Sequence, residues 1–176
     1  PTNLNYLSPV NFDLQINKLP QTKYFCTGVT LPGVVFSEAL HSLPLAINSY
    51  LPGDKIEFDP LNVKFLVDED MKNYMEIFNW IMALGPGSDE GDFQNLTGSS
   101  KNTSGQFSNS DFSKMYSDAT LFANTSSNNA NVEFQFQDCF PTSLGSIEFN
   151  SQADGVEYAT CDLTLRYTLF KVRTST

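Results

Sequence analysis

The sequence predicts a mainly β protein of antiparallel strands with one flanking α-helix. Three observations carry this. Period-two alternation of apolar and polar residues recurs from Val10 to Leu169, only Glu69 to Leu84 shows helical spacing, and Pro, Gly and Asn clusters punctuate the remainder. At 176 residues the chain reads as one domain spanning 1–176, large enough to bury a core without metal or disulfide staples.

Val10, Phe12, Leu14 and Ile16 alternate with Asn11, Asp13 and Gln15, the pattern of a half-buried first strand. Tyr24 to Val29 reads as a second strand, broken by Leu31-Pro32-Gly33. Leu40 to Ile47 contains Pro44, which demotes it to an edge or loop-like strand. Pro52-Gly53-Asp54 reads as a turn before Lys55 to Phe58, and Leu61 to Val67 resumes alternation.

Met71, Tyr74, Met75, Phe78, Ile81 and Met82 form one stripe at helical spacing, read as the buried face of a helix capped by Asp68 and stopped by Gly85-Pro86. Trp80 lies on the opposite side of the wheel. It is a candidate anchor for a neighbouring subunit, or else the cover site of the following loop. Residues 86–116 read as a polar surface insertion, since Gly85 to Ser110 holds five glycines and six serines without periodicity. Asp118 to Asn124 and the strand carrying Val132, Phe134 and Phe136 then form a hairpin, Phe140-Pro141-Thr142 reads as a turn into Ser146 to Asn150, and Val156 to Leu169 reads as one long final strand. Such length, with one face mostly apolar, belongs to a large antiparallel sheet wetted on one side.

Catalytic signals are sparse. His41 is the single histidine, which excludes a His-based metal cluster, and there is no GxSxG elbow and no GK[ST] phosphate loop. Asp89, Glu90 and Asp92 lack the order of a calcium loop. The chain therefore reads as a non-enzyme with neither cofactor nor metal. Cys26, Cys139 and Cys161, an odd number without a CxxC pair, read as buried free thiols. No stretch approaches a membrane span and the start lacks a secretory pattern, so a soluble, cytoplasmic protein is expected.

Charge carries more information. The net charge is −10, and Asp118 to Leu165 holds seven acids (Asp118, Glu133, Asp138, Glu148, Asp154, Glu157 and Asp162) and no Lys or Arg. The plain reading is a solvated acidic face; the sharper one is a wall that repels a polyanion.

Taken together, Tyr24-Phe25-Cys26, Val29-Thr30-Leu31-Pro32-Gly33, Pro52-Gly53-Asp54, the helix ending Glu76-Ile77-Phe78-Asn79-Trp80 and the stretch Cys139 to Phe149 resemble, in this order, the major tail tube proteins of contractile-tailed bacteriophages. The resemblance implies an antiparallel β-sandwich or half-barrel with one flanking helix, closing into a ring-shaped β-barrel on oligomerisation. It also implies homo-hexameric rings stacked into a hollow tube inside a contractile sheath, assembled in the host cytoplasm and carried in the virion tail. Partners would be the sheath protein, the baseplate initiator and the tail terminator, with DNA as passing cargo and no membrane anchoring. On this reading the lumen-facing candidates are Glu133, Gln135, Gln137, Thr160, Asp162 and Thr164, the polar faces of the two clearest late strands. The alternatives are a baseplate tube-initiator or tail-terminator protein of the same fold and, from another class, a carbohydrate-binding β-sandwich module.

Overall fold

The computed structural model describes residues 6–20, 25–42, 48–85, 114–125, 129–149 and 158–174, and among them run nine strands and one full helix. The strands are β1 (Phe12–Ile16), β2 (Cys26–Thr30), β3 (Val34–Ser42), β4 (Asn48–Phe58), β5 (Leu61–Leu66), β6 (Ser117–Asn124), β7 (Ala130–Leu144), β8 (Thr160–Arg166) and β9 (Leu169–Thr174). The helix α1 spans Lys72–Leu84 between β5 and β6. Seven strands form one antiparallel sheet in the order β1-β6-β7-β8-β5-β2, with β9 also on β7, while β3 and β4 pair only with each other. This is the antiparallel, mainly β architecture that the alternation predicts.

The sheet wraps around its own core because β7 serves two halves. Val132 to Gln137 pairs with β6 on one side and β9 on the other, whereas Phe140 to Leu144 pairs with β8. Between them Asp138 takes φ 55°, a left-handed conformation that Asp tolerates better than most residues. The irregularity shifts the inward set from Phe136 to Cys139, so both halves keep apolar side chains on the core side. Leu14, Ile16, Ala119, Leu121 and Phe136 from one half meet Leu61, Val63, Phe65, Cys161, Leu163 and Leu165 from the other in a single cluster. Fully burying each large side chain contributes about 1.5–3 kcal/mol.

The helix departs from its expected orientation. Buried on it are Asn73, Ile77, Trp80 and Ala83; of the predicted stripe only Tyr74 and Ile81 pack against the core, while Met75, Phe78 and Met82 stay 41–45% exposed. The start differs as well: Asp68 is no N-cap, and Met71 precedes the helix at φ 53° without a side-chain cap. Asn73 sets the start instead. Its Oδ1 accepts from the backbone N–H of Asp68 (3.2 Å) and Tyr74 (2.8 Å), and its Nδ2 donates to the Leu66 carbonyl (2.7 Å). A buried amide satisfied on both sides fixes the rotation of α1 against β5 more firmly than a wide apolar stripe does.

Further expectations change along the strands. The final strand breaks at Tyr167 and Thr168 into β8 and β9, because the partner strand β7 bends there and the Thr168 N–H crosses to the Gln137 carbonyl (3.0 Å). Pro141, expected in a turn, sits within β7, and Pro52-Gly53 lies within β4. Proline is tolerated at both places because each adjoins a register shift. The strand expected at Ser146 to Asn150 is absent from 146–149, and Leu43 to Ile47, most of the 86–116 insertion and Val156 to Glu157 lie outside the described residues.

Candidate assembly surfaces

β3 and β4 form a two-stranded arm that leaves the body. Val34 opposes Phe58, Phe36 opposes Ile56 and, past a bulge, Leu40 opposes Tyr50. Opposed residues share a face. The large apolar side chains along the arm (Val34, Val35, Phe36, Leu40, Tyr50, Leu51 and Ile56) are each 50–65% exposed. Gly53 occupies the bulge because a Cβ there would lie 2.7 Å from the Ser37 carbonyl oxygen, and the Ser37 hydroxyl accepts from the Lys55 N–H (3.0 Å).

The root of the arm is clamped. The Tyr167 hydroxyl donates to the Asp59 carbonyl (2.9 Å), Arg166 donates to the Phe58 carbonyl (3.2 Å), and the Asp59 N–H donates to Gly33 (3.1 Å). Phe58 also joins Phe136, Tyr167 and Phe170 in an aromatic cluster with ring centroids 5.0–6.0 Å apart. Burial first, then the charge of Asp59, push the Tyr167 phenol up to about 12, so it remains a donor. An apolar two-stranded ribbon with a fixed base is built to present a surface.

The lumen-facing candidates fall on two stretches of the one sheet. Glu133, Gln135 and Gln137 lie on the half formed by β1, β6, β7 and β9, and Thr160, Asp162 and Thr164 on the half formed by β8, β5 and β2. Neither stretch is single-signed. Arg173 stands opposite Glu133, Lys171 opposite Gln135, and Lys64 opposite Asp162, bases supplied from outside the acidic stretch 118–165. Locally, Gln135 donates to Glu133 (2.6 Å) and Thr164 to Asn62 (3.1 Å).

Trp80, the interface candidate, is only 4% exposed and belongs to the core cluster. Its indole donates to the Met115 carbonyl (3.0 Å), and the Lys18 ammonium sits 5.4 Å from the ring centroid. The chain that returns after the insertion therefore covers it, and the exposed apolar side of α1 is Met75, Phe78 and Met82. Burial also lowers the Lys18 pKa while its ammonium donates to Lys114.

The thiols are free: Cys139 and Cys161 are buried, as expected, and Cys26 is only half-buried. Burial pushes Cys139 up to about 12 and Cys26 to about 11, and raises Cys161 in the same way. Among the described residues, no group of three or more His, Cys, Asp or Glu is placed to hold a metal ion, and no helix is long and apolar enough to cross a membrane.

Known proteins share this architecture. The tail tube terminator protein of Enterobacteria phage T4 is 27% identical over 121 residues, covering 69% of this chain and 60% of that protein. The tube terminating cap of the anti-feeding prophage superposes with a TM-score of 0.63 at 17% identity, over 98% of this chain and 95% of that one. The sheath/tube terminator of the extracellular contractile injection system PVC gives 0.59 at 14% identity, over 98% and 100%. The phage tail tube protein family profile matches residues 4–173, nearly the whole chain, and this protein belongs to that family.

Proposed function

We propose that this chain is a ring-forming structural subunit of a contractile phage tail, placed at the terminating end of the tail tube. The clamped apolar arm carries the reading, because an exposed apolar surface of that kind marks a site that another protein covers. Rings of six copies would stack through the arm on the tube beneath, in a virion tail assembled in the host cytoplasm, with the sheath protein as neighbour and DNA passing through the centre. The T4 relative and the two injection-system caps, each named as a terminator, support the terminal position. The repeating tube subunit is the second reading, favoured by the family match itself.

Negative-stain electron microscopy with mass photometry separates them. Discrete sixfold rings that bind the ends of preformed tubes and do not elongate support the terminator. Open-ended tubes from the purified chain alone support the repeating subunit. A chain that forms neither rings nor tubes, and binds no tube end, overturns both.

A further inference from the structure

We infer that Tyr167 and Arg166 are positioning residues of the arm: they fix the angle at which β3 and β4 leave the body before any partner is bound. What the arm is positioned for rests on the ring reading; the fixing itself does not. The arm needs such a device. Among the described residues β3 and β4 pair only with each other, so no ladder to the large sheet orients them. A two-stranded ribbon held only at its two ends rocks about its root unless something else braces it.

The two ends are tied first to each other. The chain enters the arm through Pro32-Gly33 and leaves it through Asp59-Pro60, and each proline ring locks one φ at the root. The Asp59 N–H donates to the Gly33 carbonyl (3.1 Å), joining the way in to the way out. They lie so close that a Cβ on Gly33 would come 2.6 Å from Asp59 Oδ2. What remains free is the tilt of this joined root against the sheet.

The break between β8 and β9 removes that tilt. Arg166 donates to the Phe58 carbonyl (3.2 Å) and the Tyr167 hydroxyl to the Asp59 carbonyl (2.9 Å), two successive acceptors on the outgoing side. The Phe58 ring lies 6.0 Å from that of Tyr167 and 5.4 Å from that of Phe170. Two hydrogen bonds and a ring contact define an orientation where a single bond would leave a pivot. The break itself gains a reason here. In an unbroken strand neighbouring side chains point to opposite faces, whereas at this break Arg166 and Tyr167 both reach the root. On the far side the Thr168 N–H bonds the Gln137 carbonyl (3.0 Å), beside Asp138 where β7 bends. The bend of the sheet thus sets the angle of the arm.

In a ring, arms held this way all leave at one angle. They reach a preformed ring end together, and none has to be ordered at the moment of binding. The partner this geometry favours is an assembled ring over a free subunit.

The test uses the full chain with nitroxide labels on Asn48→Cys, at the far end of the arm, and Gln15→Cys on β1, in a Cys26→Ser background diluted with unlabelled chain. Double electron–electron resonance reads the distance between them. The intact clamp should give one narrow distribution. Tyr167→Phe with Arg166→Met keeps the ring and the long stem but removes both donors, and should broaden it, while Arg166→Lys alone, which retains a donor, leaves it narrow. Amide exchange at Asp59, read by NMR without labels, should quicken more than about tenfold in the double variant while the core strands stay protected. The same variant should bind preformed tube ends more than about tenfold more weakly, although every apolar side chain of the arm is unchanged. A broad distribution in wild type, or a narrow one in the folded double variant, overturns the positioning role. Loosened arms that bind tube ends as tightly as wild type overturn the claim that the angle serves binding. A wild-type chain with narrow distances that binds no tube end and forms no rings overturns the ring reading and leaves the clamp standing.

Discussion

Cys139, Tyr167 and Asp138 show how single residues hold the bend on which the fold turns. Burial raises Cys139 to about 12 and Cys26 to about 11, above the value of about 8.5 expected in the unfolded chain. A raised folded-state pKa contributes stability that is intact below the unfolded value and is lost as pH climbs towards the folded one. Unfolding midpoints are therefore expected to hold steady to about pH 8 and fall between about pH 9 and 12, with Cys139→Ala giving a shallower fall; an unchanged alkaline limb in that variant contradicts the assignment. At neutral pH all three thiols should resist a thiol-specific reagent until the protein unfolds. At the bend, Asp138→Val should cost about 1–2 kcal/mol and Asp138→Gly little, because φ 55° crowds a branched Cβ. Denaturant titration of the two variants checks this.

At the scale of elements, α1 and the arm invert what their apolar patterns suggest. Trp80→Ala is expected to destabilise by about 3–5 kcal/mol, the cost of emptying a core site, where an exposed anchor would cost little. The arm predicts the opposite. Phe36→Asp with Ile56→Asp should leave the unfolding temperature within a few degrees of wild type, since these side chains cover none of the core, and should abolish binding to tube ends or stacking. Circular dichroism on one sample and tube-end labelling on the other separate fold from function. The arm escaped the sequence reading for a physical reason: Pro52-Gly53 reads as a strand breaker, but a two-stranded ribbon has no third strand to satisfy and absorbs it at a bulge.

Across the whole molecule, charge is balanced between strands far apart in sequence. Glu133 meets Arg173 and Asp162 meets Lys64, so Glu133→Lys and Asp162→Lys should each destabilise by about 0.2–1 kcal/mol, and reversing the partner as well should recover the loss. A double-mutant cycle measures it, and additive losses would remove the pairing. Bases from outside residues 118–165 thus stand beside acids of that stretch.

What the sequence by itself determined is local. Alternation located β1, β5, β6 and the inward row of β8, the lone helical spacing located α1 to within three residues at its start, and the ordered motifs pointed to the tail tube family. Strand and helix periods are imposed by backbone geometry on every few residues, so they survive in one dimension. Only the tertiary structure decided which side of α1 is buried, that β7 bends and pairs its two ends with different strands, that the arm stands clear of the core, and that Arg173 and Lys64 stand opposite acids. Each of these depends on partners roughly a hundred residues away or nearer only through strand pairing, and the free energy that selects them is that of the closed core.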